Sequence, residues 1–299
     1  MKAALDQAFA RVRHRPAPLP LRLQACRAPP IPYIHPFRVP RRHMLQSAFQ
    51  GFISPLFYSS NATSVAQTIT TPQISMEHQQ DIACVLDYWF PPPSADSNPT
   101  TKWFAPPNPE VVDAEIRTQF ASLVEQARND SLDSWGSTPL GSLALIVLLD
   151  QFPRNIYRGS GLAYASDSKA VDLAVASVAR EFDRSTADLT PLMAMFFYLP
   201  LMHAESLVHQ VAGISLFEGL AARCTAGFWA SSPSPRAAVE ADEAAKFVQF
   251  SCDFAKAHRD VILRFGRFPS RNEALGRQST PEEVEFLSQN PAGFVVSKR

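Results

Sequence analysis

The spacing of apolar residues indicates helices from about residue 76 to the C-terminus. Two stripes have the three-to-four-residue period of one helix face: Ile82, Val85, Leu86 and Trp89, then Val112, Ile116, Phe120 and Leu123. Alternation of period two among β-branched residues does not persist anywhere. The pattern therefore predicts an all-α fold of about eight helices with almost no sheet.

Four predicted helices begin with the same signature, an Asn or Thr directly before a Pro. The pairs are Asn108-Pro109, Thr138-Pro139, Thr190-Pro191 and Thr280-Pro281. We expect the side-chain oxygen of the Asn or Thr to accept an N–H of the first turn, where Pro loses no hydrogen bond. At the last pair, Glu283 adds the acid of a capping box.

The segment 140–149 is apolar on nearly every side, which predicts a buried central helix that Phe152-Pro153 ends. Further helices are predicted over residues 167–182, 191–198, 205–223, 237–265 and 281–289. A Ser/Pro-rich stretch at 227–236 predicts an exposed loop between two long helices.

Charge divides the chain at about residue 76. Residues 1–76 hold nine Lys or Arg and a single acid, Asp6, whereas the rest holds 19 basic and 27 acidic residues. A basic, Pro-rich and acid-poor N-terminus is typical of a mitochondrial transit peptide. Two interpretations stay open. One is a mitochondrial protein with a disordered leader over 1–76 and a single helical domain over 77–299; the other is a cytoplasmic protein whose translation starts at Met76.

Composition also excludes several classes of partner and cofactor. A net negative domain without a Lys/Arg run repels the phosphate backbone, so we expect no nucleic acid. The apolar run at residues 143–149 is far shorter than the roughly 20 residues of a membrane span. Because CxxC pairs, His ligand spacing and phosphate-binding or dinucleotide-binding motifs are all missing, we expect no metal and no cofactor.

Three segments, at 150–158, 199–206 and 258–272, gather polar residues beside apolar ones. Guanidinium groups bind carboxylate or phosphate bidentately, and a histidine near a Glu suits proton transfer. The candidate ligand-binding residues are Trp89, Asp150, Arg154, Asn155, Arg158, His203, Glu205, His258, Arg264, Arg267, Arg271 and Asn272. The catalytic candidates are His203, Glu205 and His258.

A structural interpretation of the same residues stays open. An Arg or Asn just past a helix end can bond its free carbonyls. Asp260 and Arg264 have the spacing of an i,i+4 ion pair, as do Asp150 and Arg154, although Pro153 intervenes. The histidines can equally be core residues with satisfied hydrogen bonds.

These segments, in this order, resemble a family of uncharacterised bacterial and fungal proteins, domain of unknown function 924 (DUF924). The resemblance includes Val-Leu-Asp-Tyr-Trp-Phe at 85–90, Leu-Leu-Asp-Gln-Phe-Pro-Arg-Asn at 148–155, and the runs at 198–205, 258–269 and 275–283. It implies antiparallel helix pairs stacked in a right-handed, tetratricopeptide-like array, and no established activity. Ser206 departs from the family, which often has an acid there, and this weakens an acid–base role that needs a second carboxylate.

Three hypotheses for function follow. In the first, a groove lined by Arg, His and Glu binds a small anionic molecule or an acidic peptide. In the second, the protein is an enzyme in which His203 or His258 is the general base on a carboxylate- or phosphate-bearing substrate. In the third, the protein is an interaction adaptor. The sequence leaves the oligomeric state open.

Overall fold

A computed structural model describes residues 74–295, apart from 92–98, 105, 230–231 and 233–234. The leader predicted over 1–76 therefore lies, except for its last three residues, outside the described residues. The described part of the chain consists of helices and turns without a strand, which confirms the all-α prediction.

Eleven α-helical segments are present in these residues. They are α1 (Met76–Trp89), α2 (Pro99–Phe104), α3 (Pro109–Arg128), α4 (Pro139–Ile146), α5 (Phe152–Ile156), α6 (Asp167–Ala179), α7 (Pro191–Met195), α8 (Leu199–His203), α9 (Leu207–Thr225), α10 (Pro235–Phe265) and α11 (Pro281–Gln289). Seven of them have eight or more residues, in line with the predicted number. None of the helices in the described ranges is long and apolar enough to cross a membrane.

The predicted helix starts are present, with one difference. Thr138, Thr190 and Thr280 each accept the N–H of the residue three positions on, and Glu283 completes the capping box. The expected cap at Asn108 is wrong, because its side chain makes no capping hydrogen bond although Pro109 opens α3. Its backbone carbonyl takes part in the first turn instead.

The central helix is buried as predicted, but it does not end at Phe152-Pro153. Residues 143–149 are at most 1% exposed. A π-helical turn, Val147–Gln151, follows α4 and leads directly into α5, with the Phe152 N–H donating to the Val147 carbonyl. The helical path therefore runs through the proline.

A side chain from another element makes this passage possible. Pro153 has no N–H to offer the Leu149 carbonyl four residues earlier. The Ser166 hydroxyl, just before α6, donates to that carbonyl at 2.8 Å. Because the helical path continues, Asp150 and Arg154 lie one turn apart on the same side of it.

The short helices α7 and α8 replace the single helix predicted over 191–198. A turn at residues 196–198 separates them, and all three of its aromatic side chains are fully buried. Phe196 lies in an aromatic core with Trp89, whose ring also packs edge-on against Phe152 at 5.3 Å between centroids. The turn thus anchors α8 to the centre of the fold.

Helices α9 and α10 pack side by side, with Glu218 and Lys256 joined by a 2.8 Å ion pair. The loop predicted between them, 227–236, is described only in part. Within it Trp229 is fully buried, and its indole N–H donates to the Leu189 carbonyl at 3.0 Å. This part of the loop is therefore tied to the residues that precede α7.

Ser166→Ala should lower the free energy of unfolding by about 1–3 kcal/mol, because it removes the hydroxyl that donates to the carbonyl of the buried Leu149. Ser177→Ala is the matched control, since its hydroxyl is also buried but bonds to no described residue. Its removal should be neutral or stabilising. Urea denaturation of both variants measures the difference, and equal losses would contradict the role of Ser166.

Candidate functional site

The short helix α8 presents His203 at its last position, and two contacts from α9 fix that end. The Gln210 amide donates to the carbonyls of Met202 and Ala204 at 2.6 and 2.8 Å. A Cβ at Gly213 would lie 3.3 Å from the Leu201 Cβ, so glycine permits this close approach of α9. His203 therefore projects from a supported backbone although its helix is a single turn.

Asp150, in the π-helical turn, is fully buried and is the centre of the site. Nδ1 of His203 lies 2.8 and 2.9 Å from its two oxygens, and Nη2 of Arg154 lies 3.0 Å from Oδ1. The Gln151 amide donates to Oδ2. Burial alone would raise the pKa of Asp150, but the attraction of His203 and Arg154 and these hydrogen bonds hold it below its usual range. Asp150 is therefore ionised at neutral pH.

The Asp150 contact assigns the tautomer of His203. An ionised carboxylate only accepts hydrogen bonds, so Nδ1 of His203 carries the hydrogen. In the neutral imidazole Nε2 is then the acceptor, and no described residue forms a hydrogen bond with it. The His203 side chain is 16% exposed, so its ring is held in place by Asp150 but is still accessible to solvent.

His258 of α10 lies beside His203, with ring centroids 6.3 Å apart. Its Nδ1 is 2.8 Å from the Phe254 carbonyl, which only accepts, so Nε2 is again the unprotonated nitrogen. Burial is the main cause that lowers the pKa of His258 to about 3; the hydrogen bond to the Phe254 carbonyl opposes this shift, and the nearby charges of His203, Arg271 and Arg154 add to it. The site therefore holds two neighbouring imidazoles in which Nε2 is the acceptor of the neutral ring.

Two arginines share one carboxylate on the other side of Asp150. Asp167, at the start of α6, accepts from Nη2 of Arg154 at 3.0 Å and from Nη1 of Arg271 at 3.1 Å. Arg271 also donates to the His203 carbonyl at 2.9 Å, and the Tyr164 ring lies against both guanidinium groups. The negative charges of Asp150 and Asp167 equal the positive charges of Arg154 and Arg271 in number, so this cluster has no net charge apart from the histidines.

Glu205 has both oxygens occupied. It binds Arg277 at 2.6 and 2.9 Å and accepts the Phe268 N–H at 2.7 Å. Burial would raise the pKa of Glu205, but these hydrogen bonds and the charge of Arg277 lower it. Its carboxylate therefore fixes the segment after α10 and is not available as a base.

Several predicted site residues lie away from this cluster. Arg267 and Asn272 bind Glu283 at the start of α11, at 2.7 and 3.2 Å, so they help to hold that capping box. Arg264 pairs with Glu282 at 2.8 Å. The i,i+4 pair expected between Asp260 and Arg264 is absent, because Asp260 bonds to Arg259 instead.

Three more candidates also lie elsewhere. Arg158 and Asn155 both bind Asp113 of α3, at 2.7 and 2.8 Å. Trp89 is 2% exposed within the aromatic core and lines no groove with the histidines. Of the twelve candidates, the structure brings together Asp150, Arg154, His203, His258 and Arg271, with Glu205 behind them.

Sequence reasoning missed two members of the site. The sequence indicates Asp167 only as the first residue of a predicted helix, and Arg277 lies inside the run 275–283 on which the family resemblance rests. The signal for Asp167 was its place as an acid at a helix N-terminus beside a Tyr/Arg-rich loop. Among the described residues, no group of three or more His, Cys, Asp or Glu is arranged to hold a metal ion.

Comparisons with known proteins identify relatives without assigning an activity. A family model described as a bacterial protein of unknown function, DUF924, matches residues 85–291. The solved structure of a protein of unknown function from Agrobacterium tumefaciens is 31% identical, with a TM-score of 0.52, and the match covers 71% of this chain and 99% of that one. No curated protein matches.

Asp150→Asn should destabilise the fold by about 3 kcal/mol, because it removes a buried carboxylate that Arg154 and His203 both bind and leaves Arg154 to share Asp167 with Arg271. Glu282→Gln, which breaks the exposed pair with Arg264, should cost less than about 1 kcal/mol. Chemical denaturation at pH 7 compares the two variants. Similar losses would argue against Asp150 as the electrostatic centre.

His258 should make stability depend on pH. Its native pKa of about 3 lies below the unfolded value of about 6.5, so between these values the unfolded chain binds more protons and acidification destabilises the native state. His258→Phe should reduce the slope of unfolding free energy against pH by up to about 1.4 kcal/mol per unit in this window. Urea titrations from pH 4.5 to 8 measure it. Above about pH 7.5 the difference between the two proteins should be constant, and identical slopes would contradict the assignment.

Proposed function

The chain belongs to the DUF924 family of bacterial proteins of unknown function, as the resemblance predicted, and we propose that it is an enzyme in which His203 acts as a general base. The supporting observation is the buried Asp150, whose two oxygens bind Nδ1 of His203 at 2.8 and 2.9 Å. A general base is effective when a third group fixes its tautomer and orientation. Asp150 supplies that group.

The electrostatics of the pair suit proton transfer. When Nε2 of His203 accepts a proton, the imidazolium gains the attraction of an ionised carboxylate in a buried setting, where that attraction is strong. Arg154 and Gln151 keep the carboxylate ionised and oriented through the cycle. The proton is thus taken by the imidazole and Asp150 stays charged.

His258 has a different role in this proposal. Its depressed pKa keeps it neutral at physiological pH, so its Nε2 accepts a hydrogen bond without becoming charged. Beside His203 it orients the water or substrate group whose proton is removed. Glu205 takes no part in the chemistry, because Arg277 and the Phe268 N–H already occupy its oxygens.

The alternative of an anionic ligand has less support. Each arginine that was expected to receive the anion already binds a carboxylate of the protein; these are Arg154, Arg158, Arg264, Arg267 and Arg271. An incoming anion would have to displace a partner that is covalently part of the fold. The geometry therefore favours a substrate whose reacting end is uncharged.

The test is hydrolysis of p-nitrophenyl acetate, in which a base removes a proton from water. His203→Gln should lower kcat/KM by about 100-fold or more, and Asp150→Asn should lower it similarly because Nε2 is no longer held as the acceptor. The matched control is Asp183→Asn. Asp183 is also buried and bound to an arginine, Arg223, but it contacts Tyr198 and neither histidine.

The control separates chemistry from folding. Asp183→Asn should lose stability yet keep kcat/KM within about threefold of the wild type. The proposal would be contradicted if His203→Gln kept the wild-type kcat/KM, or if Asp183→Asn lost as much kcat/KM as the two site variants.

A further inference from the structure

An apolar cavity of about 40 Å³ lies between α8 and α10. Its lining includes Leu199, Met202, Phe247, Phe250 and Phe254. Among the described residues of its wall, Ser251 has the one polar side chain, and its hydroxyl donates to the Phe247 carbonyl at 3.0 Å. The cavity therefore offers mainly apolar contacts, and the hydroxyl hydrogen of that serine is already used.

Helical register places this cavity next to the two histidines. On α8, His203 directly follows Met202 and lies one turn after Leu199. On α10, residues 247, 250, 251 and 254 follow one stripe of helical period, and His258 extends it by one turn. The groove between the two helices is thus apolar at one end and carries the imidazoles at the other.

An aromatic residue near the C-terminus joins the two parts. Phe294 packs against His258 and Phe254, with ring centroids 4.7 and 5.4 Å away. Phe254 lines the cavity and also supplies the carbonyl that fixes His258. A molecule in the cavity therefore touches Phe254, the residue whose carbonyl positions the His258 imidazole.

The size of the cavity limits what it holds. A site needs about 10–15 Å³ for each water-sized sphere, so this space holds roughly three of them. Walls that are apolar apart from Ser251 leave water poorly bound, because a buried water needs two or more polar partners, whereas each buried methylene gains about 0.8 kcal/mol. A chain of a few carbons fits both limits.

We infer that the cavity binds the hydrocarbon chain of a short acyl compound, an ester or amide from acetyl to butyryl, whose carbonyl lies beside His203. This inference rests on the proposed function of His203. In hydrolysis of the ester, a proton of water passes to Nε2 of His203 as the water oxygen bonds to the acyl carbon. The carbon–oxygen bond then breaks, and the alcohol leaves with the proton from Nε2.

Binding is measured without turnover by titrating acetamide, propionamide, butyramide and hexanamide, observed through the ring nitrogens of His203 and His258 by NMR. Affinity should rise about fourfold per methylene up to butyramide, as 0.8 kcal/mol per methylene implies, and then stop rising. Affinity that does not change with chain length, or that continues to rise through hexanamide, would overturn the inference.

Two variants and one control test the location. Ser251→Leu fills the cavity, so butyramide should bind no more tightly than acetamide. Ser215→Leu is the control, because its hydroxyl makes the same bond four residues back, to Val211, on the exposed side of α9; it should keep the chain-length series. Phe250→Ala enlarges the cavity and should move the preference to hexanamide. This variant tests the location of binding even if Ser251→Leu does not fold.

Turnover of the matching p-nitrophenyl esters distinguishes the two proposals. If amide binding follows chain length but His203→Gln retains full turnover, the cavity is supported and the proposed general base is not. If turnover depends on His203 while amides and esters show no chain-length preference, the general base stands and the cavity inference fails.

Discussion

The buried carboxylate of Asp150 is the constraint on which the rest of the site depends. Removing an ionised carboxylate from water costs several kcal/mol, so a fully buried one requires charged and hydrogen-bonding partners. Here they come from three places: Gln151 in the same turn, Arg154 in α5 and His203 in α8. Arg154 also binds Asp167, and Asp167 in turn binds Arg271. Through these ion pairs, one buried charge links the central helix to α6, α8 and the segment after α10.

Irregular helices are what bring these partners together. The π-helical turn, the proline in α5 and the single-turn α8 all leave backbone carbonyls without their usual helical donors. Side chains replace those donors: Ser166 binds the Leu149 carbonyl, and Gln210 binds those of Met202 and Ala204. Because distant elements supply the replacements, each local irregularity also fixes a tertiary contact. Asp150 and His203 are held at the two places where this occurs.

Charge balance explains the kind of chemistry that the site favours. Six arginines in this part of the protein bind carboxylates of the protein itself; they are Arg154, Arg158, Arg264, Arg267, Arg271 and Arg277. The Nε2 acceptors of the two imidazoles have no hydrogen-bond partner among the described residues, and they lie beside an apolar cavity. Such a surface suits a molecule with an uncharged polar end and a short hydrocarbon chain, which is why the two proposals share one groove.

The sequence by itself determined the features that arise within a few residues of each other. Helical stripes, the Thr-Pro starts and the capping box at Thr280 could be predicted because their interactions span one turn, and so could the burial of residues 143–149. Tertiary structure decided which charges meet. His203 binds Asp150, which is 53 positions away in the sequence, and Glu205 binds Arg277, which is 72 positions away. Trp89 is buried in the core. An arginine binds whichever carboxylate the packing brings within about 3 Å, and that distance depends on how whole helices stack.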